Sequence, residues 1–234
     1  MQFKLLIFIL SLFFITSNPN IKAAEDSTYN FNWLDPDKEV YVLQNRKFRK
    51  VQSLYVTAGY GKTTSGAFAD ATTMQGRFGF FFTEDWGFEF LYASNSSDTN
   101  EVFESVVAQQ SVPFVRKTKS YFGPMIMWSP FYAKINTFDK IFYFDWMFGL
   151  GFAKLEEENN RADLNALQNG SGFQTENHTG VMWTTATRFY LTEMVSLRLD
   201  LTAVHYQAAK ALANSTDKIW YDNFDLALSL GFAF

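Results

Sequence analysis

The chain has 234 residues, of which 47% are hydrophobic and 19% aromatic, with 27 Phe, two His, no Cys and a formal net charge of -4. Its mean hydropathy is nevertheless -0.12, so the apolar residues are diluted by polar ones at short range. Past the N-terminus no stretch reaches the roughly 18 uninterrupted apolar residues of a spanning helix. These figures exclude a helical membrane bundle, and the missing Cys excludes disulfides, thiolate metal sites and cysteine nucleophiles. A charged fraction of 19% argues against disorder, and without a basic stripe nucleic acid is not an expected partner.

Lys4 precedes an apolar run from Leu5 to Ile15 that only Ser11 interrupts, followed by Ser, Asn and Pro and by Ala23 and Ala24. That is the layout of a secretory signal peptide, and the run is too short for a comfortable retained span. The expected organisation is a signal peptide over 1–23, a periplasmic N-terminal extension over 24–50 and a barrel over 51–234. Without Lys4 and Lys22 the chain carries 18 Lys and Arg against 24 Asp and Glu, net -6. In the extension, Arg46, Lys47, Arg49 and Lys50 cluster near its end. Val40, Val42 and Phe48 are candidates for a short docking element, against the plainer reading of a tether.

From there on the chain alternates with period two, the signature of strands with two different environments. Leu54, Val56, Ala58 and Tyr60 oppose Tyr55, Thr57 and Gly59. Met74, Gly76, Phe78 and Phe80 oppose Gln75, Arg77, Gly79 and Phe81, although Phe80 to Phe82 blurs the facing. Trp86, Phe88, Phe90 and Tyr92 oppose Gly87, Glu89 and Leu91, and Phe122, Pro124, Ile126 and Trp128 oppose Tyr121, Gly123, Met125 and Met127. The fifth segment is sharp: Phe142, Phe144, Trp146, Phe148, Leu150 and Phe152 against Tyr143, Asp145, Met147, Gly149, Gly151 and Ala153. Val181 to Phe189 and Val195 to Ala203 supply two more. The last sets Phe224, Leu226, Leu228, Leu230, Phe232 and Phe234 against Asn223, Asp225, Ala227, Ser229, Gly231 and Ala233. A stripe of that kind ending on Phe resembles the C-terminal strand by which bacterial outer-membrane barrels are recognised for insertion.

Connection lengths give the topology. Thr83 to Asp85 and Leu191 to Met194 are short, whereas Ala93 to Arg116, Lys154 to His178 and Tyr206 to Trp220 are long and polar. The expected fold class is therefore all-β: an eight-stranded antiparallel up-and-down transmembrane β-barrel, with short turns on the periplasmic side and long loops outside. Phe82-Thr-Glu-Asp-Trp and Leu191-Thr-Glu-Met-Val form a weak internal echo at equivalent turns. Ser129 to Lys140 is longer than a minimal turn, and its form does not follow from the pattern.

Arg77, Glu89, Asp145, Arg188, Arg198, Asp200 and Asp225 all fall on the face opposite the aromatics. Hydrocarbon would cost each several kcal/mol, so they are expected to point inward as a lumen charge network. An eight-strand barrel leaves an interior about filled by side chains, which favours an electrostatic plug over a transport path. Tyr60, Trp86, Trp128, Trp146 and Trp183 are candidates for interfacial aromatic girdles, with simple apolar lipid contact as the alternative.

Catalytic patterns are weak. Neither His178 nor His205 is followed two residues on by Ser, as a resemblance to lipid A deacylases requires. Gly61-Lys62-Thr63 has Val56 where a phosphate loop needs Gly. Glu156, Glu157 and Glu158 with Asp163 read more simply as a solvated acidic loop than as a loose cation site. No catalytic, cofactor-binding or metal residues are assigned, and no cofactor is expected.

The segment from Glu39 to Phe48, the run Pro130-Phe-Tyr-Ala-Lys134, and Phe144-Asp145 with Gly149 and Gly151 resemble the outer-membrane β-barrel domain family of myxobacteria and Bdellovibrio-type predatory bacteria. The resemblance spans most of residues 35–234. It implies an integral outer-membrane protein without established chemistry that assembles into homo-oligomers. The resulting expectation is a non-enzymatic barrel with a structural or surface-interaction role, with outer-membrane lipids, the barrel assembly machinery and further copies of itself as partners. The alternatives are a narrow porin-like channel, a lipid-modifying enzyme and a soluble lipocalin-like barrel, the last requiring the aromatics to face inward.

Overall fold

The computed structural model describes residues 28–29, 40–41, 46–64, 68–111, 113–137, 140–161, 173–210 and 217–234. The expected signal peptide, Val42 and Asp163 lie outside them. The chain forms two compact units, Met1–Lys47 and Phe48–Phe234. In the first, β1 (Thr28–Tyr29) and β2 (Val40–Tyr41) make an antiparallel pair, with Thr28 opposite Tyr41.

The second unit is a closed barrel. Its strands are β3 (Ser53–Thr64), β4 (Ala69–Phe81), β5 (Trp86–Thr99), β6 (Arg116–Thr137), β7 (Lys140–Asn159), β8 (Gln174–Tyr190), β9 (Val195–Ala209) and β10 (Lys218–Ala233). Each pairs antiparallel with its sequence neighbours, and β10 closes on β3 from Phe224 opposite Thr64 to Ala233 opposite Tyr55. At the foot of this seam the Leu54 N–H donates to the Phe234 carbonyl at 3.2 Å and the Phe234 N–H to the Leu54 carbonyl at 2.8 Å. Closure removes both sheet edges, so strand peptides have ladder partners on each side.

The two faces differ as period two requires. The β10 stripe from Phe224 to Phe234 lies on the outer wall with side chains 38–73% exposed. Phe81, blurred in the sequence, points in and is fully buried, while Phe80 and Phe82 point out. The outward aromatics are the reverse of a lipocalin-like arrangement. Inside, Tyr55, Phe81, Leu91, Tyr121, Leu155 and four methionines (Met125, Met127, Met147 and Met182) pack together; the unbranched thioether fills the irregular gaps of a tapering lumen. Glycine provides the remaining room: a Cβ on Gly79 would stand 2.2 Å from the Tyr55 ring carbon Cζ.

The connection from Ser129 to Lys140 is not a loop. β6 and β7 stay paired to Thr137 opposite Lys140, past the end of the ring, where Tyr143 is opposite Tyr190. The register slips between Trp128 and Phe131, around Ser129 and Pro130. Proline has no N–H to give to a ladder and normally ends a strand, but a bulge tolerates it. This is why the sequence reads as a break where the structure continues.

At the opposite end the long connections are also partly strand. Between β5 and β6 lies α1 (Glu101–Ala108), started by Asn100, whose side chain accepts the Phe103 N–H at 3.1 Å, with Glu101 and Glu104 in the first turn. An N-cap Asn and first-turn acids both suit the positive end of the helix dipole.

The internal echo has a physical cause. Thr83 Oγ1 accepts the Trp86 N–H, and Thr192 Oγ1 the Val195 N–H, both at 2.9 Å. In each turn a backbone bond then closes four residues on, from Phe82 to Trp86 and from Leu191 to Val195. One hydroxyl-capped turn is built twice.

Gly79→Ala is expected to overpack the lumen and cost about 1–3 kcal/mol. The measurement is the urea midpoint of the refolded protein, with Gly76→Ala as control, because a Cβ on Gly76 meets nothing within 4 Å.

Candidate functional site

The functional candidates lie in the lumen and are positioned by register. The neighbouring strands β4 and β5 place Arg77 and Glu89 within reach, and the Arg77 Nη1 to Glu89 Oε1 distance is 2.7 Å. From the far side of the ring Arg198 on β9 reaches the same carboxylate, its Nη1 2.5 Å from Oε2 and its Nη2 3.2 Å from Oε1. Arg198 Nε lies 2.6 Å from Asp200 Oδ1, and Arg77 Nη2 stands 3.5 Å from the same oxygen. The Tyr55 hydroxyl donates to Glu89 Oε2 at 2.5 Å, Ser229 Oγ to Asp200 Oδ2 at 3.1 Å, and Arg77 Nη2 to Gln75 and Thr202 oxygens. Two arginines and two carboxylates, fully enclosed, thus form one electrically neutral cluster across the barrel axis.

The other three charges of the expected set also point inward and are buried, but they are held separately. Asp145 binds Lys50 Nζ at 3.0 Å and accepts from the Tyr190 hydroxyl. Asp225 accepts from the Tyr121 hydroxyl at 2.5 Å and from Asn223 Nδ2 at 2.8 Å. The Arg188 guanidinium sits 4.3 Å from the Tyr55 ring centroid, a cation-π contact that suits a delocalised cation.

Lys50 shows where pattern reading stops short. Sequence reading assigned it to the extension, yet Phe48–Lys50 pack with the barrel at its turn end. Phe48 stacks on Tyr190 at 4.7 Å and meets Tyr143 edge-on at 5.4 Å. Lys50 Nζ donates to Ser129 Oγ at 2.6 Å. Glu84, in the β4–β5 turn, accepts the Lys50 and Val51 N–H groups. Phe48 does what the candidate docking element expects of it, whereas Lys50 stands in the sequence only as one member of the basic cluster.

On the outer wall, Trp86 and Trp128 stack at 6.0 Å, and Trp128, Phe148, Trp146 and Phe131 continue the row at 5.4–6.2 Å between centroids. Tyr60 stands apart, 60% exposed, midway along β3. Trp183 also faces out, and its indole N–H donates to His205 Nε2 at 2.8 Å. That contact settles the tautomer. Nε2 is the acceptor, so the neutral ring carries its proton on Nδ1, which contacts Asp222 Oδ1 at 2.5 Å. With both nitrogens engaged, His205 offers no free base to a nucleophile.

The loop end of the lumen holds a second charged group, and it corrects the reading of Glu156 to Glu158 as a solvated acidic loop: all three lie in strand β7, and Glu157 is buried. Alternation splits the acidic run: Glu156 and Glu158 turn outward to Lys119, at 3.4 and 3.3 Å, while Glu157 turns inward. Arg116 Nε binds Glu157 Oε1 at 2.6 Å, and its guanidinium lies 3.8 Å over the Tyr221 ring. Glu157, Glu176 and His178 meet there with three donor atoms within 4.8 Å of one another, a set able to hold a metal ion.

No protein-family model matches the chain, and no curated protein matches it in sequence. Solved structures do resemble it. The N-terminal barrel domain of Pseudomonas aeruginosa OprF shares 13% identity over 79% of this chain and 98% of that one, with a TM-score of 0.46. The outer membrane protein OprG of the same organism shares 13% over 80% and 98%, at 0.47. Neisserial surface protein A shares 12% over 78% and 96%, at 0.43. The fold assignment rests on the closed ring of strand pairs itself.

Glu89→Ala strands two buried guanidinium groups and is expected to cost about 3–5 kcal/mol. The double variant Glu89→Leu with Arg198→Met removes one charge of each sign and leaves Arg77 beside Asp200. Its urea midpoint is expected to lie above that of Glu89→Ala.

Proposed function

We propose that this chain is a non-enzymatic integral outer-membrane protein, a barrel whose lumen is closed by its own ion pairs and whose loop end is presented for a structural or surface-interaction role. The observation that carries the reading is the reversal of polarity across the wall. The enclosed Glu89, Arg77, Arg198 and Asp200 lie on one side of the strands. Phe78, Phe88, Phe90, Leu199, Leu228 and Leu230, all substantially exposed, lie on the other. A wall this apolar needs acyl chains or another protein against it, and only a closed barrel satisfies its strand peptides in hydrocarbon.

On this reading the outer lipids are the first partner, the β10 stripe is the segment that assembly machinery would engage, and the N-terminal unit lies in the periplasm. Homo-oligomers with lipid held between barrels fit the same apolar wall. The resemblance to the barrel family of predatory bacteria, which has no established chemistry, points to the same role. The competing reading is a narrow channel, which would need the arginine and carboxylate cluster to part into a hydrated path.

Planar bilayers separate the two. The purified protein is expected to be electrically silent at physiological salt. Stable single-channel steps there, abolished when Arg198→Met alters the cluster, would establish the channel and overturn the plug.

A further inference from the structure

The loop end of the lumen carries a group that the plugging role does not use. β7 and β8 are paired so that Glu157 lies directly opposite Glu176, and Leu155 opposite His178. Period two then puts Glu176 and His178 on the same inward face as Glu157. His178 Nε2 stands 3.5 Å from Glu157 Oε2 and 3.5 Å from Glu176 Oε2. A charge-assisted hydrogen bond between imidazole and carboxylate would close to about 2.7–2.9 Å. The observed spacing matches instead the edge of a tetrahedron with bonds of about 2.1 Å, which is about 3.4 Å.

A second observation concerns burial. Glu157 Oε2 and His178 Nε2 are both enclosed and, among the described residues, have no hydrogen-bond partner. The Glu157 side chain is 0% exposed and that of His178 12%. Other buried polar atoms of the lumen, such as Arg77 Nε and Arg188 Nε, also lack partners among the described residues; what sets these two apart is that a carboxylate oxygen and an imidazole nitrogen, both metal-ligating atoms, face one point. The rest of the carboxylate is already held: Glu157 Oε1 accepts from Arg116 Nε at 2.6 Å and from Asn159 Nδ2 at 3.0 Å, which leaves Oε2 directed at the cluster. Arg161 Nη2 approaches Glu176 through the other oxygen, Oε1, at 3.6 Å. The His178 ring lies against Tyr206, 5.4 Å between centroids, which fixes its plane. Outer contacts of this kind orient metal ligands.

We propose that Glu157, Glu176 and His178 bind a divalent transition-metal ion at the loop end of the barrel. One imidazole and two carboxylates favour zinc and its neighbours over calcium or magnesium, which take oxygen donors alone. Three protein donors leave a fourth position open, on the side of Glu176, whose side chain is 26% exposed. This site is separate from the lumen cluster and does not rest on the plug or on silence in bilayers.

The test uses the full purified chain in detergent micelles, stripped with chelator. Equilibrium dialysis against zinc, with the metal measured by mass spectrometry, is expected to give one zinc per chain. His178→Gln and Glu176→Gln are each expected to weaken binding at least about tenfold, and His205→Gln to leave it unchanged. Heat-dependent migration on gels reports whether each variant is folded. If a variant fails to fold, cobalt added to the wild-type chain decides: visible bands of tetrahedral cobalt, displaced by zinc, support the site. Absence of stoichiometric zinc in the wild type, unchanged binding in a folded His178→Gln, or a cobalt spectrum no different from free cobalt would each overturn it.

Discussion

The seam at which β10 hydrogen-bonds to β3 is the constraint on which the rest of the second unit depends. An eight-stranded sheet left open would present two edges of unpaired peptide groups. Closing it makes each strand a neighbour of two others and separates an inside from an outside. Once that division exists, alternate residues live in different media, and every charged side chain must be placed on one side of the wall. The strands outrun what closure needs. β6 has 22 residues and β7 has 20, against 12 in β3 and 13 in β4, so the longer strands project beyond the shorter ones.

The interior shows how a narrow lumen accommodates charge. Burying an ion is costly unless it is paired and its remaining hydrogen-bonding capacity is filled. Glu89 meets this by serving two arginines and a tyrosine hydroxyl at once. Asp225 meets it with neutral donors, Tyr121 and Asn223, whereas Arg188 lies against an aromatic face with its Nε and Nη2 lacking a hydrogen-bond partner among the described residues. Space for these groups comes from glycine at the opposing positions, as the Gly79 and Tyr55 pair illustrates. The result is a core of mixed character, with methionines filling what the ion pairs leave.

The two ends of the barrel are built differently. At the turn end, two copies of one threonine-capped turn keep the connections short, and Phe48 and Lys50 pack in against Tyr190, Tyr143 and Asp145. The loop end is more open and polar, with the acidic run of β7 divided between an outward lysine and an inward arginine. There Glu157 Oε2 and His178 Nε2 are enclosed and face each other without a hydrogen-bond partner among the described residues.

The sequence by itself determined the eight strands, their facing, the up-and-down order and the inward direction of the seven charges. All of these follow from a period of two read locally against one apolar and one polar medium. It did not show the strand running through Pro130, because a bulge is a relation between two strands and a proline in isolation reads as a stop. Nor could it show which charge meets which. Arg198 and Glu89 are 109 residues apart and Tyr121 and Asp225 are 104 apart, brought together only by the curvature of the closed ring. Lys50 joins Asp145, and His178 joins Glu157, through register and packing that leave no trace in spacing along the chain. Facing is a property of neighbours in sequence, whereas pairing across a lumen is a property of the closed surface, and only the tertiary structure decides it.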